Sequence, residues 1–142
     1  MNFIAINQAL LSDERVRNSE ALQQLCTMVI NMYPNQVPTP PWIGYMTEKD
    51  DLFVGSCAFK ASPENGEVEI AYYTFPEYEG QGLATNMAQW LVDTAFQHGV
   101  RCVKAQTLPE ENASTRILKK LNFAFAGEVM HPEDGKVWEW RK

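Results

Sequence analysis

Gly80 and Gly82 bracket Gln81 just before a long helical pattern that opens at Leu83. Glycines in such a place let backbone N–H groups approach a ligand with no Cβ in the way. The helix behind them turns its unpaired N–H groups and the positive end of its dipole in the same direction. The chemistry of such a turn is the holding of an anion, most often phosphate. A tight strand-to-helix connection with no ligand would use the same residues. Two nucleotide-binding motifs are excluded by their neighbours. A P-loop needs Lys and then Ser or Thr after its last glycine, where Leu83 and Ala84 stand. A dinucleotide fingerprint needs a third glycine where Thr85 stands.

Ahead of the glycines, Val68, Ile70 and Tyr72 alternate with Glu67, Glu69 and Ala71, the two-residue period of a pleated strand. Pro76 removes a backbone donor and stops the ladder. The unit is therefore strand, turn and helix, with carboxylates on one side of the strand.

Glu79-Gly-Gln-Gly-Leu-Ala84 resembles the Arg/Gln-x-x-Gly-x-Gly/Ala signature of the GNAT superfamily of N-acetyltransferases. Glu69-Ile-Ala-Tyr-Tyr73 and Pro76-Glu-Tyr78 are similar to its RimJ/RimL-like subgroup, and the likeness resumes at Thr107-Leu-Pro-Glu110 and Ala113 to Phe123. Two separated motifs in the expected order carry it. The resemblance implies an α+β fold: a mixed, mostly antiparallel sheet of six to seven strands, its central parallel strands splayed and flanked by helices. It also implies acetyl-coenzyme A as cosubstrate, a primary amine as acceptor and direct transfer in a ternary complex.

By the same resemblance, the backbone of Tyr72, Tyr73 and Thr74 meets the pantetheine arm, and Gly80, Gln81, Gly82, Leu83, Ala84 and Thr85 hold the pyrophosphate. Asn112 and Ser114 come near the pantetheine and the sulfur; Ser114 would otherwise cap a helix. Glu69 matches the subgroup's strand glutamate and is the candidate general base, with a solvated strand carboxylate as its plain alternative. Four positions depart from the pattern. Glu79 stands where Arg or Gln is usual, and Glu111 stands where the pantetheine-side Asn is expected, with Asn112 one residue late. Asn122 replaces a glycine, and Leu118 replaces the tyrosine that many members use as general acid. Glu79 and Glu111 keep open a second reading, an acyl-coenzyme A-binding regulatory module without turnover.

The remaining elements must position this unit. Phe3, Ile4 and Ile6 suggest a first strand, and Ser12 or Asn18-Ser19 caps a helix running to about Tyr33. Pro34, Pro38, Pro40 and Pro41 make a loop, which in the superfamily often lines the acceptor site. Trp42 to Thr47 and Leu52 to Lys60 read as antiparallel strands joined at Glu48–Asp51, and Ser62–Gly66 turns into the central strand. Leu83, Met87, Trp90, Leu91 and Ala95 form one helical face, ended by His98-Gly99. A strand over Val100 to Leu108 then implies parallel pairing with a right-handed crossover. A short helix over Ser114 to Leu121 and a hairpin around Pro132-Glu-Asp-Gly135 close the chain.

The 142 residues, 45% hydrophobic with a formal charge of −6, suit one globular domain over 1–142. The negative charge argues against nucleic acid or anionic membrane as partners. It suits a cationic amine. Three cysteines, odd in number and set among apolar neighbours, read as buried free thiols of a reducing, cytoplasmic compartment. Two histidines and no Cys-x-x-Cys leave no expected metal site. The start Met1-Asn-Phe-Ile lacks the pattern of a signal peptide. A monomer or homodimer is expected.

Overall fold

A computed structural model of the chain describes residues 1–33 and 39–142, so the expectation for Pro34 and Pro38 lies outside the described residues. Strands β1 (Asn2–Ala5), β2 (Gly44–Lys49), β3 (Leu52–Phe59), β4 (Glu67–Thr74), β5 (Cys102–Thr107), β6 (Ala124–His131) and β7 (Gly135–Arg141) form one sheet. Its order is β1-β2-β3-β4-β5-β7-β6. Only β4 and β5 pair in parallel, across the crossover; every other neighbouring pair is antiparallel. The expected mixed, mostly antiparallel sheet is therefore present.

The β2–β3 connection is tighter than the sequence suggests. Glu48 and Lys49 stay in register with Phe53 and Leu52, which leaves a two-residue turn at Asp50-Asp51 with φ of 53° and 63°. Two left-handed residues give the twist that matches a hairpin's strands, and Asp tolerates that conformation better than most side chains.

Among the described residues, α-helices α1 (Glu14–Arg17), α2 (Glu20–Asn31), α3 (Leu83–Gln97) and α4 (Ala113–Lys120) cover the sheet. Of the two caps the sequence offers, Ser19 starts α2, its side chain accepting from the Leu22 N–H, while Asp13 caps the single turn α1. Leu83, Met87, Leu91 and Leu118 seal α3 and α4 against Val68 and Ile70 on one face. Val16, Cys26 and Val29 pack on Met46 and Phe53 on the other. Gly55 of β3 admits this packing: a Cβ there would lie 2.5 Å from the Tyr73 carbonyl oxygen and 3.0 Å from the Met87 methyl.

The parallel register runs only from Glu67↔Cys102 to Ile70↔Ala105, although β4 continues to Thr74. Lys60 N–H donates to the Glu69 carbonyl and Phe75 N–H donates to that of Val54, each over 2.9 Å. Odd-numbered residues of β4 therefore aim their backbone groups at β3. Antiparallel alternation then sends the groups of Tyr72 and Thr74 toward β5, beyond the last paired residue. The central parallel strands splay at that point.

Candidate active site

Of the four α-helices, α3 alone has no side-chain cap among the described residues, and no acidic residue stands in its first turn. Its N-cap is Gly82, left-handed at φ 76°, and Gly80 before it has φ 80°. Both conformations favour glycine over any residue with a Cβ. A Cβ at either position would meet no protein atom within 4 Å, so the turn faces open space. Orphan N–H groups and a positive dipole end thus point into a groove of about 640 Å³.

The groove runs from this turn to the splayed end of β4 and the first turns of α4. Tyr72, Tyr73, Thr74, Gly80, Gly82, Leu83, Ala84, Thr85 and Ser114 all line it. The structure so brings together most of the residues singled out in two separate motifs. The Tyr72 side chain crosses toward α4, where its hydroxyl donates to the Ser114 carbonyl over 3.5 Å. Burial pushes that hydroxyl up to about 12, the bond to Ser114 acting weakly against it. The Thr74 hydroxyl is buried and has no hydrogen-bond partner among the described residues. A buried hydroxyl left alone is costly, so it marks where a ligand group fits.

Three expected residues are elsewhere. Asn112 is the N-cap of α4: its side chain accepts from Thr115 N–H at 3.0 Å, while Thr115 Oγ1 accepts from the Asn112 N–H at 2.9 Å. That reciprocal box takes up the side-chain oxygen the sequence comparison assigns to pantetheine. Gln81 is exposed at the turn and does not line the groove. Glu69 lies on β4 just before Ile70, the last residue of the parallel register, its carboxylate 2.6 Å from the Lys60 ammonium. It lines a different hollow, with Lys60, Glu67 and Lys104. It shares the odd-numbered face of β4 with Tyr73, four residues further on, which does line the groove.

Other lining residues were not singled out by sequence. Arg116 and Lys120 reach the groove from α4, and neither makes an ion pair among the described residues. Together they set two cations against the one carboxylate of Glu79. Ala113, Arg116, Ile117 and Lys120 recur at three- and four-residue steps, so helical spacing from Ala113 was the available signal. Glu111, the other anomalous acid, is exposed and held by Lys119 at 2.8 Å, which lowers its pKa.

A second hollow of about 520 Å³ lies on the opposite face, between α2, β3 and the turn Pro76–Tyr78. Tyr73 and Tyr78, beside the end of β4, line both hollows. No group of residues suited to hold a metal ion occurs among the described residues, and no helix there is long and apolar enough to cross a membrane.

Residues 4–124 match the acetyltransferase (GNAT) domain family. The chain belongs to the GNAT family. It is 29% identical over 93 residues to the uncharacterized N-acetyltransferase p20 of Bacillus licheniformis, an alignment covering 64% of this chain and 52% of that one. The chain thus spans about half the length of the curated relative it matches. Its fold is similar to that of RimL, a ribosomal L7/L12 α-N-protein acetyltransferase solved with coenzyme A, with a TM-score of 0.74 at 16% identity, covering 99% of this chain and 92% of that one. A ribosomal-protein-alanine N-acetyltransferase from Brucella melitensis gives a TM-score of 0.71 at 14% identity, covering 100% and 99%.

Proposed function

We propose that this GNAT protein transfers an acetyl group from acetyl-coenzyme A to a primary amine by direct attack within a ternary complex. The observation that carries the reading is the uncapped N-terminus of α3 opening into a groove that ends at unpaired backbone on β4. An anion fits the first and an amide-bearing arm fits the second. The first-turn N–H groups of α3 with Arg116 and Lys120 take the pyrophosphate and the neighbouring phosphate. Backbone groups of Tyr72 and Thr74 extend the sheet onto the pantetheine arm, and the free N–H at this end of β4 donates to the oxyanion that forms on the thioester carbonyl.

The acceptor approaches through the hollow on the α2 face. Its sharing of Tyr73 and Tyr78 with the groove gives an amine a route to the reacting carbon, and positioning of the two partners is the main catalytic contribution. That sharing also favours turnover over a purely regulatory coenzyme-binding module, which would need no second hollow. The departing thiolate leaves beside Tyr72, whose single O–H must turn from the Ser114 carbonyl to donate to it. For the acceptor's proton, Glu77 is the carboxylate that lines the α2-side hollow. Glu69 would have to act from outside it.

Acetyl-coenzyme A at a hundred times its dissociation constant should stabilise the fold by about 2.7 kcal/mol, read as a raised melting temperature. Thiol release should then appear on adding an amine. An unchanged melting temperature at millimolar coenzyme would sink the proposal.

A further inference from the structure

The α2-side hollow is lined mostly by apolar and aromatic side chains. Leu22 and Leu25 of α2 face Phe53 of β3, and Tyr73 and Phe75 close the floor with their rings 5.8 Å apart. Leu52, 51% exposed, forms the rim. Its volume of about 520 Å³ falls within the range of small-molecule sites, roughly 300 to 1,000 Å³.

The charges around it discriminate further. One cation, Arg15, lines the hollow, and it is fully engaged. Its guanidinium holds Asp13 at 2.9 Å and Glu48 at 2.5 Å, and stacks 3.9 Å above the Phe53 ring. It is therefore committed to its partners and presents no free charge to an acidic ligand. Glu77 is the one carboxylate among the lining residues, exposed at the mouth. Beyond Arg15, the residues Asp13, Glu14, Glu48 and Asp51 set four carboxylates around that single guanidinium. Those four acids line an adjoining hollow that shares Arg15, while the lining of the α2-side hollow is mostly apolar with Glu77 as its acid.

We infer that the acceptor is a small primary amine bearing one aromatic or branched aliphatic group, which rests on the acetyltransferase reading above. Its hydrocarbon body packs on Leu22, Leu25, Phe53 and Phe75. Glu77 attracts its ammonium toward Tyr73 and Tyr78, where the amine meets the thioester. A polyamine would need carboxylates spaced along the wall, and an aminoglycoside would need many polar partners. The hollow offers one acid and a mostly hydrocarbon lining.

The test is release of coenzyme A thiol from acetyl-coenzyme A with phenethylamine, isoamylamine, spermidine, an aminoglycoside and an alanine-headed hexapeptide. Phenethylamine or isoamylamine should give a kcat/KM at least tenfold above the other three. Leu25→Gln should raise KM for phenethylamine at least fivefold, with kcat and the coenzyme-induced rise in melting temperature little changed. Leu52→Gln, at the exposed rim, should move KM in the same direction with no load on the core. Preference for spermidine, the aminoglycoside or the peptide would overturn this acceptor class and leave acetyl transfer standing. So would an unchanged KM in both variants. Coenzyme binding with no turnover of any amine would overturn it too, in favour of a binding module. Loss of coenzyme binding in the native chain would instead remove the acetyltransferase reading beneath it.

Discussion

The Tyr72 hydroxyl donates to the carbonyl oxygen of Ser114 over 3.5 Å, a bond that ties the splayed end of β4 to the first turn of α4. It fixes the width of the groove at the place where both motifs meet. It also fixes the charge there, because burial raises the Tyr72 pKa to about 12 from 10.0. A phenol whose folded pKa is raised favours the folded state while it is neutral. That advantage is complete below pH 10 and is lost as pH rises from 10 through about 12.

Tyr72→Phe should therefore lower stability near neutral pH by about 1 kcal/mol or less, the usual worth of one hydrogen bond. Between pH 10 and 12 the variant should lose less stability than the native protein. Tyr33 and Tyr45, raised to about 12 by the same cause, leave it part of the alkaline loss. Urea unfolding at a series of alkaline pH values checks this. Parallel curves for the two proteins would mean that Tyr72 ionises freely and that its ring is not sealed in the groove.

Gly82 and Gly99 provide a matched pair at the two ends of α3. Their φ values are 76° and 84°, and a Cβ at either would meet nothing within 4 Å. Alanine at each should cost roughly 1 kcal/mol of strain. Only Gly82 stands at the uncapped N-terminus, so Gly82→Ala should weaken coenzyme affinity at least tenfold, while Gly99→Ala leaves it unchanged. Calorimetric titration with coenzyme A separates the two. Equal affinities would show that the turn holds no phosphate.

Arg116 and Lys120 carry the next prediction, with Glu79 as its opposite. Replacing either cation by Gln should weaken coenzyme A by about threefold to tenfold, since exposed charge–charge contacts contribute on the order of 1 kcal/mol. Glu79→Arg should tighten it by a comparable factor. All three effects should shrink between 20 mM and 500 mM salt, as the screening length falls. An effect independent of salt would mean that these side chains act by packing.

What the sequence made legible was the chemistry carried by local pattern. Two glycines before a 3.6-residue period located the uncapped helix, and the alternation of Val68, Ile70 and Tyr72 located the strand beside it. Side-chain competition hid the rest. Asn112 fits a coenzyme contact by alignment, yet Thr115 three residues on already claims it for a capping box. The Glu69–Lys60 pair depends on β3–β4 register, which no local pattern sets. The α2-side hollow was the least readable feature, because Leu22, Leu25, Phe53, Tyr73 and Phe75 come from three segments that only the sheet brings together.

Glu69 supplies the last prediction. By resemblance it is the strand glutamate placed to take the proton from the amine. In the fold its carboxylate is 21% exposed and 2.6 Å from the Lys60 ammonium, and it lines neither the groove nor the α2-side hollow. Direct proton transfer needs hydrogen-bond reach or one bridging water. Glu69 instead lines the hollow it shares with Lys60, Glu67 and Lys104. Glu69→Gln should therefore change kcat/KM by no more than about threefold, well short of the roughly 10²-fold loss usual for a general base. Stability should fall by under about 1 kcal/mol, since Lys60 is itself 40% exposed and its loss of a partner is largely screened by water. Glu77→Gln should raise KM for the amine more than Glu69→Gln does, because Glu77 lines the hollow the amine enters. A hundredfold fall in Glu69→Gln, with the acidic limb of the pH–rate profile altered, would return the base to β4. It would also mean that the ion pair with Lys60 opens when the acceptor binds.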